Sequence, residues 1–320
     1  MANAMTDGGA PFVWSAMAAG RLDEVLREYR AAIPKASAHP TFRSYVDILV
    51  GGLPEAAAGA RSIVMAAVRS RPGLATLELD GRTVRVPIAQ GYWDDGITSA
   101  ALAPSVRRAA GVPDNAFFVA VNQCIPDKLL AARAGVIRYG RNNIGYAEGL
   151  GSFIALRAWA TDAELPEGRW GSAEALPECE ACGACLAACP TGAIRAGGFL
   201  IDATRCISLY NEVEGTFPGF VASARHTALM GCLACQACCP ANAGRGDPVP
   251  FEPLDAADSA AFLAGAAPDS IDSADDETGR RISERLRLGD PGAWTESAAV
   301  FARNLRAWLA TNGIAVGGTR

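Results

Sequence analysis

Residues 179–194, CEACGACLAACPTGAI, place thiols at Cys179, Cys182, Cys185 and Cys189, the last followed by Pro190. In a C-x2-C-x2-C-x3-C-P run, a tight loop presents three thiolates to three irons of a [4Fe–4S] cube and cannot wrap round to the fourth. The missing ligand must come from a distant segment. A second set follows: Cys206, then Cys232, Cys235 and Cys239 before Pro240. In two-cluster ferredoxins the fourth cysteine of such a run serves the other cluster. Reciprocal sharing assigns Cys179, Cys182, Cys185 and Cys239 to one cluster and Cys189, Cys206, Cys232 and Cys235 to the other. Ala181, Gly183, Ala184, Ala187 and Ala188 keep the loop slim, so backbone N–H groups reach the sulfurs and tune the potential. Structural zinc is the alternative, since C-x2-C pairs also bind zinc; three cysteines in one run with a C-P end favour clusters. Cys238 breaks the spacing and Cys124 lies far off, so neither is assigned.

Little else in the chain offers redox or hydrolytic chemistry. Its two histidines, His39 and His226, form no D-x-H-x-x-G corrinoid motif and no paired zinc site. His39 reads as a surface residue, and His226, near the second cysteine set, as a helix cap rather than a residue that tunes a cluster. There is no G-x-x-x-x-G-K-[ST] and no G-x-G-x-x-G after a strand, so neither a P-loop nor a dinucleotide fold is expected. The net charge of −5 and pI near 5.2 disfavour nucleic acid and anionic membrane as partners. No export signal and no bilayer-length apolar run occur, which points to the cytoplasm, where ten cysteines stay reduced and serve metal rather than disulfides. Two clusters and no nicotinamide site imply an external single-electron donor such as ferredoxin or flavodoxin.

The elements that must carry these residues read as α+β. Residues 11–33 are expected to form one helix, with Leu22, Val25, Leu26 and Tyr29 at helical spacing and Pro34 closing it. RSIVMAAVRS (61–70) reads as a buried strand, and TLELDGRTVRVPIA (76–89) as a hairpin turning at Asp80-Gly81. PSVRRAAG is expected to be helical, AFFVAVN (116–122) a strand, PDKLLAARAG (126–135) a helix capped by Gly135, and GSFIALRAWA (151–160) a strand. The polar, Gly- and Pro-rich stretch 161–178 marks a boundary. Expected domains are 1–170 for an α+β cofactor or substrate domain, 171–248 for a ferredoxin-like two-cluster domain, and 249–320 for a linker and helical tail. Within that tail, 256–289 is acidic and reads as a solvated surface segment, while 296–313 reads as an amphipathic helix ending at Gly313.

CEACGACLAACPTGAI, IDATRCISLYNEVEG and GCLACQACCPAN, in this order and at these intervals, resemble the double-cluster domain of epoxyqueuosine reductases. Upstream, LLAARAGVIRYGRNNIGY followed by GSFIAL is similar to that family's A-x-x-A-G-x-x-x-x-G-K-N and G-S-x-x-x-L stretch; the resemblance covers about residues 115–243. It implies a cobalamin-dependent reductase whose N-terminal α+β domain binds the corrinoid without a histidine ligand, with Arg141 and Asn142 at the cofactor. The family's lysine is replaced by Arg141, which keeps the charge and changes the geometry. The family aspartate of V-D-S-x-P, its proton donor, is replaced too: here AVNQCIPDKL puts Asn122 or Val121 in that place. Asn cannot serve as an acid, leaving Asp127, Tyr139 or Tyr146 as substitutes. The repeat array that many members carry for tRNA is not read in the C-terminal stretch, and the net charge is negative, so the expected substrate is a small molecule or unidentified rather than tRNA. An electron-transfer protein or reductive activator is the second reading.

Overall fold

The computed structural model describes residues 2–32, 47, 49, 51–122, 124–197, 200–265, 277–288 and 298–316. His39, Lys35 and Pro34 lie outside them. The chain forms two compact units that interleave in sequence. Met1–Ser70, Gly96–Leu186 and Ile194–Ala203 make the first; Arg71–Asp95, Ala187–Ala193 and Thr204–Arg320 make the second. The expected linear cuts fall at 170/171 and 248/249 instead.

The first unit is built on a five-stranded sheet in the order Ala2–Met5, Pro11–Ala18, Ser62–Arg69, Ile154–Thr161, Val119–Ala120, with every pairing antiparallel. Residues 11–18 are therefore a strand, and the helix expected over 11–33 begins only at Arg21. The reason is burial on both faces. Val13 and Met17 enter one core and Phe12 and Ala16 the other, so the strand lacks the alternation that would identify it. The Ser62–Arg69 strand is buried along nearly its whole length and forms the centre of the sheet. The helices Arg21–Ala32 and Asp127–Arg133 contribute Leu22, Val25, Leu26, Leu130, Ala131 and Ala132 to one core; the helix Ser99–Ala110 contributes Leu102 and Val106 to the other. AFFVAVN pairs only at Val119–Ala120.

The second unit is centred on the hairpin Gly73–Leu79 and Arg82–Ile88. Asp80 (φ 49°) and Gly81 (φ 71°) are both left-handed, as a primed two-residue turn requires. Val249–Pro250 adds a parallel edge. Against this sheet pack the helices Ala256–Ala264, Glu277–Leu286 and Ala298–Thr311. They bury Phe262, Ile282, Leu286, Phe301, Leu305, Trp308 and Leu309 with Leu77, Val86 and Ile88. The expected surface segment 256–289 is thus, in its described part, a pair of core helices. Its acidic residues mask the apolar stripe, and one of them, Asp258, is buried and ion-paired with Arg281 and Arg285.

Candidate metal centre

Six of the eight predicted ligands sit on a very short helix or at its edge. Cys179 closes the 3-10 turn Pro177–Cys179, Cys185 lies in Ala184–Ala188, and Cys206 precedes Ile207–Asn211. Cys235 lies in Ala234–Ala237, and Cys239 precedes the turn Pro240–Asn242. The C-P step explains the last: proline fits the first position of a helical turn and starts it without needing its N–H bonded. None of the ten cysteines is in a disulfide, and all are partly exposed.

Cys179, Cys182 and Cys185 belong to the first unit. Arg141 braces the start of their loop, donating from Nη2 to the Cys179 carbonyl and from Nη1 to the Ala196 carbonyl. The neighbouring Asn142 is buried, donates to the Tyr146 hydroxyl at 3.0 Å and accepts from the Ile144 N–H. Both residues paired with the cofactor by resemblance thus bond to protein atoms.

Cys189, Cys206, Cys232, Cys235 and Cys239 belong to the second unit. Cys189, Cys206 and Cys232 come close enough to repel one another as thiolates, which with burial holds the Cys206 and Cys232 thiols above their ordinary range; burial is the larger cause. Opposing this are donors aimed at the sulfurs. The Ser208 and Leu209 N–H groups and the Ser208 hydroxyl face Cys206; the Ala234 N–H and the Thr227 hydroxyl face Cys232. Thiolates gathered under converging donors suit an iron–sulfur cluster, whose charge such donors stabilise. Among the described residues no three His, Cys, Asp or Glu side chains converge on the position of a single ion. A cube spreads its ligands over separate irons, so convergence on one point is not required of them.

The second unit's core fixes these loops. Leu229 N–H donates to the Pro87 carbonyl at 2.7 Å, and Ala89 N–H to the Met230 carbonyl at 3.1 Å, tying the approach to Cys232 onto the hairpin. Gly231 is left-handed (φ 69°), and a Cβ there would meet the Tyr92 ring at 2.7 Å and the Ala89 Cβ at 2.8 Å. Asn211 Nδ2 donates to the Gly231 carbonyl, and Asn304 Nδ2 to the Asn211 carbonyl, both at 2.9 Å. The Arg303 guanidinium lies 4.1 Å over Phe217 and donates to the carbonyls of Tyr210, Val213 and Gly215. His226 is fully buried 5.0 Å from the Phe217 ring, with Nε2 facing the Val221 carbonyl at 3.1 Å. Burial, then the Arg303 charge, hold its imidazole below its usual range, so it packs as a neutral group.

The residues weighed as proton donors lie in the first unit. Asn122 Nδ2 donates to Asp127 Oδ2 at 2.9 Å, while its Oδ1 accepts from Ala158 N–H and Ser99 Oγ. Burial raises Asp127 to about 6 against the pull of Asn122 and Arg157. Tyr139 is pushed up by burial and by the Glu28 and Tyr29 charges, the opposite direction to a phenol acidified by Arg141. Thr227 was missed from sequence; a lone threonine before a cysteine loop carries no signal until the fold places it.

The cluster segment is found in known proteins. Residues 178–242 match the family model of a 4Fe-4S double cluster binding domain. The chain is 39% identical over 119 residues to the epoxyqueuosine reductase of Burkholderia pseudomallei, covering 35% of this chain and 29% of that protein. It is 34% identical over 119 residues to that of Escherichia coli, covering 37% and 30%. The match thus spans less than a third of these relatives' length. Among solved structures, epoxyqueuosine reductase from Streptococcus thermophilus superposes with a TM-score of 0.61 at 18% identity, over 94% of this chain and 77% of that one. Another, solved with an epoxyqueuosine-modified tRNA stem loop, gives 0.63 at 17% identity, over 96% and 78%. Such identities speak to the fold. Among the described residues no helix is long and apolar enough to cross a membrane. The chain thus resembles epoxyqueuosine reductases, and its residues 178–242 match a double 4Fe-4S cluster binding domain.

Proposed function

We propose that the chain is an iron–sulfur reductase in which two [4Fe–4S] clusters pass single electrons from an external donor, such as ferredoxin or flavodoxin, to a substrate site in the N-terminal half. The observation that carries this reading is the gathering of Cys189, Cys206 and Cys232 under hydroxyl and amide donors. It is joined by the matched double-cluster segment. The ligand sets are Cys179, Cys182, Cys185 and Cys239 for one cluster, and Cys189, Cys206, Cys232 and Cys235 for the other. Cobalamin is the electron acceptor that the family resemblance implies. Arg141, through its two Nη atoms, and Asn142, its implied holders, bond to protein atoms, and no step is derived through it. The acidic net charge supports a small-molecule substrate over tRNA, although one structural relative was solved with a tRNA stem loop.

The test is anaerobic purification followed by iron, zinc and sulfide analysis. About eight irons per chain are expected from two cubes. In Cys206→Ser, one cluster's iron is lost while the other's stays; full retention overturns the ligand set, and zinc in place of iron overturns the reading. Visible spectra with and without added cobalamin, and turnover of an epoxyqueuosine-containing stem loop, decide the acceptor and substrate.

A second reading has its own observation. Every polar atom of the Asn122 amide bonds within the protein, and the resemblance puts either Asn122 or Val121 where the family carries its acid. This favours an electron-transfer protein or reductive activator. Retained clusters, no corrinoid binding at micromolar levels and no substrate turnover would select it.

A further inference from the structure

Thr227 has no counterpart among the residues that the cysteine spacing singles out, yet its side chain lies against a predicted ligand. Its Oγ1 is 3.4 Å from Cys232 Sγ. The same oxygen accepts the Leu233 N–H at 2.9 Å. These two contacts fix the direction of the hydroxyl proton. The amide occupies an oxygen lone pair, and a metal-bound thiolate has no proton to give. The only arrangement that satisfies both is O–H donating to sulfur. The threonine is itself held firmly. It follows the fully buried His226, whose N–H donates to Thr311 Oγ1 at 3.1 Å, and it precedes the buried run Ala228, Leu229 and Met230.

We propose that Thr227 is a positioning residue that sets the reduction potential of the cluster bound through Cys232, its hydroxyl donating to that thiolate. This rests on the reading of Cys232 as a cluster ligand. A reduced cluster carries one more negative charge than the oxidised one. A donor on a ligand sulfur therefore stabilises the reduced form more and raises the potential. The Ala234 N–H on the same sulfur acts in the same sense but belongs to the backbone, so it survives any side-chain change. Thr227 is the adjustable donor.

The experiment is an EPR-monitored anaerobic redox titration of the full chain. Thr227→Val keeps the shape and removes the hydroxyl. One of the two cluster midpoints is expected to move to a more negative value, the other to stay, and the iron content to remain that of the wild type. Thr227→Ser, which keeps the oxygen, is expected to titrate like the wild type. Thr227→Ala is the second variant should valine cost the cluster its iron, and the same downward shift is expected. Unchanged midpoints in an iron-replete valine or alanine variant overturn the proposal and leave the cluster reading intact. A wild-type chain without [4Fe–4S] signals overturns the cluster reading itself.

Discussion

Asn122 spends its whole amide inside the protein: Oδ1 takes protons from Ala158 N–H and Ser99, and Nδ2 gives to Asp127 and to the Leu156 carbonyl. It pins the loop ahead of the Asp127–Arg133 helix to the sheet, and the group able to hold a proton near neutrality is Asp127 beside it. Desolvation raises that carboxyl from 3.8 to about 6, against the pull of the Asn122 bond and the Arg157 charge. Its Oδ1 is buried with no hydrogen-bond partner among the described residues. Between these two values the unfolded chain has released the proton and the folded chain keeps it. Stability therefore falls as pH rises through that window and levels off above about 6. Asp127→Asn removes the dependence. The stability of D127N relative to the wild type is expected to grow across the window, by up to about 3 kcal/mol at 1.36 kcal/mol per unit. Urea unfolding at several pH values measures it, and a flat difference refutes it.

The short helices and turns that hold the cysteines have little stability of their own and borrow rigidity from their neighbours. Gly231 is the clearest case, since a left-handed backbone and the Tyr92 ring both forbid a side chain there. Gly231→Ala is expected to displace Cys232 and release the iron of one cluster, about half the total; a full iron complement in a soluble variant would count against this geometry. What the sequence made legible follows from pattern. The hairpin was readable because Asp80-Gly81 joins two alternating strands, and Ser62–Arg69 because its apolar run is short and flanked by arginines. Pro11–Ala18 was not, because both of its faces are buried and a periodic helix follows. The cluster segment could be picked out because thiolate spacing is a geometric code. The scaffold around them could not, since Arg303, Asn304 and Asn211 act across some ninety residues of chain.

At the scale of the molecule, the C-terminal helix Ala298–Thr311 belongs to the foundation of the second unit. Phe301, Leu305, Trp308 and Leu309 are buried there. At about 1.5–3 kcal/mol each they contribute roughly 6–12 kcal/mol, which is comparable to the entire net stability of a domain, about 5–15 kcal/mol. The same helix hands Arg303, Asn304 and Thr311 to the segments around Cys206 and Cys232. Deleting residues 298–320 is expected to yield a chain that loses the iron of the Cys206 and Cys232 site and melts without a cooperative transition for the second unit. Retained iron with an unchanged melting profile would show the helix to be dispensable.

The division of the cysteine run between Leu186 and Ala187 has a consequence for anyone borrowing the redox centre. The stretch that looks like a portable cassette is shaped by side chains encoded a hundred residues upstream and seventy downstream. Cloned by itself, it would carry the Cys206 and Cys232 sulfurs without the hairpin and the terminal helix that seat them, so a working transplant has to bring both along.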